Sequence, residues 1–299
     1  MNVASTDNKK RKLTLVDEVK IEREEDIVFD ERTHSYTYKR QAVRHHVTRI
    51  INSKFQKFDG KAVCDENFTK WKHNASSKYY ACIADAEDDE AAKAQIQEKW
   101  QKDGEDSCSA GKAMHACIEA LLNKEMGYLS HQAYLSPSSE EIRQYLEWKQ
   151  CGFGKDLTPV RSELSLVHLT GGGEKEDKQK RAVLAGQADA LFRDQEGRFV
   201  LVDWKRVKDP IDPNGKIFRY GKEADLAASV PDRSFDKYSL QLAMYAEMLK
   251  ESGINVDERR FIVRFHPNVK DNKAETERAT QAHDGVARAL MASCEAPPI

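Results

Sequence analysis

Asp203 and Lys205 stand two residues apart at the end of an apolar run, FVLVDWKR (199–206). Side chains on a strand alternate faces, so these two point one way and Trp204 the other. A carboxylate and an ammonium on a strand that otherwise favours burial break the local packing rule, as functional sites do. Alone the triplet is weak, because charge pairs mostly decorate surfaces. Asp189 strengthens it. It lies in AGQADALF (185–192), the strand before, and antiparallel pairing across a hairpin brings it towards Asp203. Two close carboxylates each take up a proton unless a cation lies between them. Mg2+ or Mn2+ is the natural cation for oxygen ligands and a phosphate substrate. The alternative is a pair of solvated strand-end acids.

His115 and Glu119 share a face of a helix, one turn apart, and Gly111 precedes His115 by four residues at the expected helix start. A lone helix histidine is more often structural than a ligand. Gln241 and Tyr245 share a face of the amphipathic segment DKYSLQLAMYAEMLKES (236–252), with Leu240, Leu242, Met244 and Leu249 covering much of the rest. They could line a groove and hold a phosphate or base, or equally satisfy each other.

The elements that must position these residues follow from periodicity. DIVFDERTHSYTY (26–38) reads as a hairpin, HHVTRIINSKF as a short helix, and about 60–103 as helix anchored by Phe68, Trp71, Tyr79 and Trp100. The acidic stretch Asp85–Glu90 is expected to break that region into two helices. Ser109–Asn123 is a helix with Ala113, Cys117, Ala120 and Leu121 on its apolar stripe. Another opens at Pro137, capped by Ser138 or Ser139, and ends at Gly152. The period then changes to two. TPVRSELSLVHL, VLAGQADALFRD and RFVLVDWKRV are strands, the last two joined by DQEG. GGGEKEDKQKR is a flexible loop and about 207–234 an irregular insertion. The 236–252 helix, ended by Gly253, is followed by a buried strand, RRFIVRFHP, and a helix over about 274–293. The second half thus runs helix, strand, strand, strand, helix, strand: a mixed sheet with flanking helices.

The chain of 299 residues suits one large domain, or a catalytic domain with an accessory lobe. It is 33% charged with a formal net charge of −2, so nucleic-acid contact requires a local basic patch. Lys205, Arg206, Lys208, Lys216, Arg219 and Lys222 could form one. Six scattered cysteines form no CxxC pair, which argues against a zinc site or a disulfide framework. No apolar run is long enough for a membrane span or a secretory signal, so an intracellular protein is expected, with no membrane partner. Residues 1–25 read as a disordered arm. Its Lys9-Lys10-Arg11-Lys12 run is either a nuclear address or a solvated tail, and organelle and cytoplasm stay open.

In order, the pieces read G-x3-H-x3-E, Glu163 on the first strand, G-x2-D (Gly186 to Asp189), D-x-K and Q-x3-Y. This series resembles the PD-(D/E)XK nuclease superfamily, and within it the RecB-like branch that includes mitochondrial genome maintenance exonuclease-type nucleases. The likeness covers roughly 109–266. It implies a restriction-endonuclease-like α/β (α+β) fold, with an αβββαβ mixed central sheet flanked by helices and a mostly helical N-terminal lobe. The expected division is an arm over 1–25, a hairpin and helical lobe over 26–104, and the nuclease core over 105–299.

By the same resemblance, His115, Asp189, Asp203 and the Trp204 carbonyl bind Mg2+ or Mn2+. Lys205 positions the attacking water and stabilises the pentacovalent phosphate. Gln241 and Tyr245 hold DNA near the site, with Arg206 and Lys208 as basic contacts, and Glu119 and Glu163 form a second tier. Only Cys294 follows the catalytic region, so the iron–sulfur cluster of some relatives is not expected. The resulting expectation is a metal-dependent deoxyribonuclease, an exonuclease on single strands or ends, with RNA as an alternative substrate. The competing readings are an endonuclease of a virus or mobile element on the same fold, and a binding module that does not cleave.

Overall fold

The computed structural model describes residues 26–30, 32–127, 139–170, 180–223, 225–256 and 258–295. The 1–25 arm with its basic run, Pro137, Ser138 and the loop over 171–179 lie outside the described residues. The chain divides into two compact units: Lys57–Ala113, and Met1–Gln56 together with Met114–Ile299.

The smaller unit is helical. It holds α2 (Gly60–Lys72), α3 (Tyr80–Ala84) and the first part of α4 (Asp89–Met126). Asp59 caps α2 by accepting the Ala62 N–H at 3.0 Å. Cys64, Phe68, Tyr79, Ala92 and Ile96 form its core, with Trp71 and Trp100 packed against it. Two expectations need correction. The helical region breaks at residues 73–79 as well as at the acidic stretch, giving three helices rather than two. Ser109–Asn123 is no separate helix, because α4 runs unbroken through Gly104 and Gly111. Gly111 therefore lies in mid-helix with open space where a Cβ would stand, and mediates no close approach. Good helix formers on both sides outweigh the roughly 1 kcal/mol that an interior glycine costs.

The larger unit opens with β1 (Ile27–Asp30), β2 (Ser35–Tyr38) and β3 (Gln41–Ala42), a small antiparallel sheet. His45–His46 is a short strand, β4, rather than the start of a helix; α1 begins at Val47 and ends at Ser53. α5 (Glu140–Gln150) is capped by Ser139, which accepts the Ile142 N–H at 3.3 Å. Then come β5 (Thr158–Thr170), β6 (Arg181–Arg193), β7 (Phe199–Lys205), α6 (Ser234–Glu251), β8 (Arg260–Arg264), β9 (Glu275–Arg278) and α7 (Asp284–Glu295).

The main sheet is six-stranded and mixed. β5, β6 and β7 pair antiparallel in sequence, β7 pairs parallel with β8, and β9 closes the edge. The fold is the mixed α+β, restriction-endonuclease-like architecture with the αβββαβ order. Gly197 (φ 78°) turns the β6–β7 hairpin, and Gly253 (φ 80°) ends α6. The helix expected over 274–293 is a strand followed by a shorter helix. Glu275–Arg278 pair along β8, and their charged side chains suit an exposed sheet edge, so no apolar alternation marks the strand.

The central strands are buried on both faces. One core holds Leu191, Leu201 and Ile262 beneath α1, α6 and α7; the other holds Phe192, Val202 and Trp204 beneath α5 and the last turns of α4. Among the described residues no helix is long and apolar enough to cross a membrane.

Candidate active site

The site begins at an interruption of the sheet. β6 pairs with β5 along most of its length. On its other edge β4 pairs at Leu184 and Ala185, and β7 pairs from Ala190 to Arg193. Gly186 to Asp189 lie between those two ladders, so their backbone is open to other groups. Tyr245 of α6 packs over the sheet face of this stretch at Gly186. A Cβ on Gly186 would stand 2.6 Å from the Tyr245 ring and 3.0 Å from Val47, so the glycine makes room for the tyrosine.

Asp189 lies at the end of the opening. Its register places it across from Asp203, but the ladder stops one residue short, at Ala190–Val202. Instead, its Oδ2 accepts the backbone N–H of Trp204 at 2.6 Å, taking the place of a ladder carbonyl. Its Oδ1 lies 3.6 Å from His115 Nδ1. Glu163 approaches from β5, across the strand pair between Ser162–Ala190 and Leu164–Ala188. It adopts a left-handed backbone (φ 47°) inside a strand, and its Oε1 is 3.7 Å from the same histidine nitrogen. A non-glycine residue in that conformation is strained, and such strain is concentrated at functional sites. Potential ligand atoms of His115, Glu163 and Asp189 all lie within 4.8 Å of one another.

Asp203 and Lys205 come from β7, facing α6. Asp203 is 1% exposed, and Lys205 Nζ stands 2.6 Å from its Oδ2. Beyond this ion pair, neither carboxylate oxygen meets a hydrogen-bond donor in good geometry among the described residues. A buried carboxylate with one ammonium at one oxygen and no further donor is costly. Lys205 also reaches Gln241 Oε1 at 3.3 Å, and its ammonium lies 4.6 Å from the centre of the Tyr238 ring. Gln241 in turn donates to the Tyr245 hydroxyl at 3.1 Å.

The electrostatics match a centre short of positive charge. Burial pushes Asp203 up to about 6, with Lys205 opposing and Asp189 adding to the rise. Burial likewise raises Asp189, against His115. Burial would lower His115, but Asp189 and Glu163 outweigh it and bring it to about 9. Lys205 is raised although burial opposes it, because Asp203 and Asp189 hold its proton. Protons and one lysine thus offset the negative charge of the centre. The imidazole and the carboxylates fit a divalent cation, which His115, Glu163 and Asp189 could hold.

The expected residues are thus distributed unevenly. His115, Glu163 and Asp189 form the tight group, although Glu163 was expected only in the second tier. Asp203 lies beside Lys205, outside that group. The Trp204 indole packs among Tyr145, Trp148, Phe192 and Phe265 on the opposite face. Glu119 is half-buried on α4 and is not in the group. Arg206 pairs with Glu141 at 2.8 Å, and Lys208 is exposed. Gln241 and Tyr245 do satisfy each other, and Tyr245 is buried. Tyr238 escaped sequence reasoning, yet it lies three residues before Gln241, on the same helix face. Tyr36 also comes near: burial raises its hydroxyl, and the Glu163 charge adds to the rise. No local spacing could have announced it, because the contact joins distant segments.

No curated protein matches the chain. A solved structure titled "Crystal structure of SSO0001" is similar at 11% identity and a TM-score of 0.34, covering 94% of this chain and 83% of that one, a likeness too low to bear on fold or function. The family model of the PD-(D/E)XK nuclease superfamily matches residues 37–296. That span runs from within β2 to just past α7 and takes in every residue of the site except Tyr36, so the chain belongs to the PD-(D/E)XK nuclease superfamily.

Proposed function

We propose that the chain is a Mg2+- or Mn2+-dependent deoxyribonuclease of the RecB-like branch, acting as an exonuclease on single strands or DNA ends. Superfamily membership implies a metal-dependent nuclease and a nucleic-acid substrate. The observation that carries the reading is the half-buried Lys205 ammonium on Asp203, oriented by Gln241 beside the His115–Glu163–Asp189 group. The ordered G-x2-D, D-x-K and Q-x3-Y series supports the branch.

A bound divalent ion supplies charge neutralisation at the scissile phosphate and makes water more nucleophilic. The protein's own groups do the rest. His115, Glu163 and Asp189 would hold the ion, with Asp203 and the Trp204 carbonyl as further candidate ligands. Lys205 places a fixed positive charge where negative charge develops on the phosphate. Gln241 keeps that ammonium pointed at the centre, and Tyr238 covers it from α6.

Digestion of end-labelled linear and closed circular DNA, each with Mg2+ or Mn2+, tests this. Mononucleotides or short oligonucleotides from the linear substrate, with circles left intact, are expected. Nicked circles would replace the exonuclease by an endonuclease. No product from either substrate under both metals would defeat the nuclease reading.

A further inference from the structure

Among the described residues, eight large apolar side chains stay exposed, and four of them, Ile217, Phe218, Tyr220 and Leu226, fall within ten residues of the 207–234 insertion. Phe218 is 79% exposed, more than any other of the eight. Its neighbourhood, KIFRYGK (216–222), carries three cations and no acid in a chain whose net charge is −2. Aromatic and basic residues alternate: Lys216 Nζ sits 5.0 Å from the centre of the Phe218 ring, and Arg219 separates Phe218 from Tyr220.

The base of this segment is firmly mounted. Gly221 N–H donates to Val230 at 2.9 Å and Asp232 N–H to Arg219 at 2.8 Å, so the segment doubles back on itself. A side chain on Gly221 would collide with the Ala227 carbonyl at 2.1 Å, and Ala227 and Val230 are anchored in the main core. Lys222 N–H reaches the Lys54 carbonyl at 2.8 Å, and its ammonium reaches that of Ser53 at 2.7 Å. Lys222 is thus part of the mounting rather than of the expected phosphate patch. Asp232, buried, faces both Arg219 and Lys237. The residue after Lys237 is Tyr238, whose ring covers Lys205, so α6 carries both a contact of this segment and a contact of the active site.

We propose that Phe218 and Tyr220 are a stacking platform for the unpaired bases of a single DNA strand, with Lys216 and Arg219 holding its phosphates. Exposed aromatic faces held in place are costly in water unless a partner covers them. Bases of a single strand offer such faces at every step, irrespective of sequence, and the phosphates between them meet the interleaved cations. In a duplex the base faces are already stacked on each other and cannot reach the rings. The proposal rests on the nuclease reading only for the site to which the strand leads.

The test is binding of labelled oligodeoxythymidine, and of a duplex of equal length, in EDTA, where no cleavage occurs. Phe218→Ala/Tyr220→Ala should weaken single-strand binding by roughly ten-fold or more, with duplex binding nearly unchanged. Phe218→Trp should retain the single-strand affinity. Both substituted side chains are exposed, so an unchanged melting temperature is expected and checks the fold. Unchanged single-strand affinity in the double variant, or equal loss for both substrates, overturns the platform. Cleavage by the unaltered protein is scored separately. Cleavage with an unaffected double variant leaves the nuclease and removes the platform; selective loss of binding without cleavage by the unaltered protein does the reverse.

Discussion

At the scale of single residues, the site trades stability for function. Asp203 is buried with its oxygens short of donors, and its folded value near 6 stands above the ordinary 3.8. The folded state therefore binds this proton more tightly than the unfolded chain. Asp203 thus contributes a loss of stability to the metal-free fold as pH rises from about 4 to about 6, on the order of 1–3 kcal/mol, and its whole penalty is present at neutral pH. Asp203→Asn should abolish cleavage and make the change of melting temperature from pH 4 to pH 6 in EDTA more positive than in the unaltered protein. A slope identical to that of the unaltered protein would show that Asp203 does not titrate there. Glu163 offers a second case. Its left-handed backbone strains any side chain bearing a Cβ. Glu163→Gly should therefore be more stable than Glu163→Ala by roughly 1 kcal/mol, while both lose most activity. Denaturant midpoints measure the difference, and alanine proving the more stable would remove strain from the account.

At the scale of elements, the decisive feature is the opening in β6 between its β4 and β7 ladders, with Tyr245 packed over the sheet face at Gly186. Gly186→Ala would drive a methyl group into the Tyr245 ring at 2.6 Å. Overpacking of this kind costs about 1–3 kcal/mol. The displaced ring should also release Gln241, and through it Lys205, so kcat should fall by more than the stability loss explains. Activity at the normal level in a folded Gly186→Ala protein would mean that Tyr245 and Gln241 do not orient the lysine. Much of this arrangement was legible beforehand. The D-x-K strand, Asp189 on the partner strand, the 236–252 helix and the β6–β7 turn all follow from periodicities that act within a few residues. The prominence of Glu163 was not legible, because it depends on one backbone dihedral in an otherwise regular strand. The strand at 275–278 was missed because an edge strand needs only one partner and shows no apolar alternation. The continuity of α4 was missed because glycine and a run of polar residues look like a boundary when counted singly, yet the helix formers around them outweigh the cost.

At the scale of the whole larger unit, distant ends are tied by a histidine outside the site. His168 of β5 is buried; its Nδ1 lies 2.7 Å from Glu251 at the end of α6, and its Nε2 lies 3.2 Å from Glu295 at the end of α7. Thr170 adds a 3.5 Å contact to the same Glu295. Burial alone would lower the imidazole, but hydrogen bonds and charge from the two glutamates prevail and raise it above 6.5. A folded value above the unfolded one means that the charged clasp contributes fully below about pH 6.5 and is lost as pH rises through the raised folded value. With the proton gone, one ring nitrogen faces a carboxylate without a hydrogen to donate, and the ends of both helices lose a shared anchor. His168→Gln should therefore lower the melting temperature by a few degrees at pH 6, at about 2–4 °C per kcal/mol for a domain of this size, and by less at pH 9. Exchange of amide hydrogens should rise first in the last turns of α6 and α7, since those are the segments the clasp holds. An equal loss at both pH values would identify His168 as a packing residue, and the clasp would then contribute through shape rather than charge.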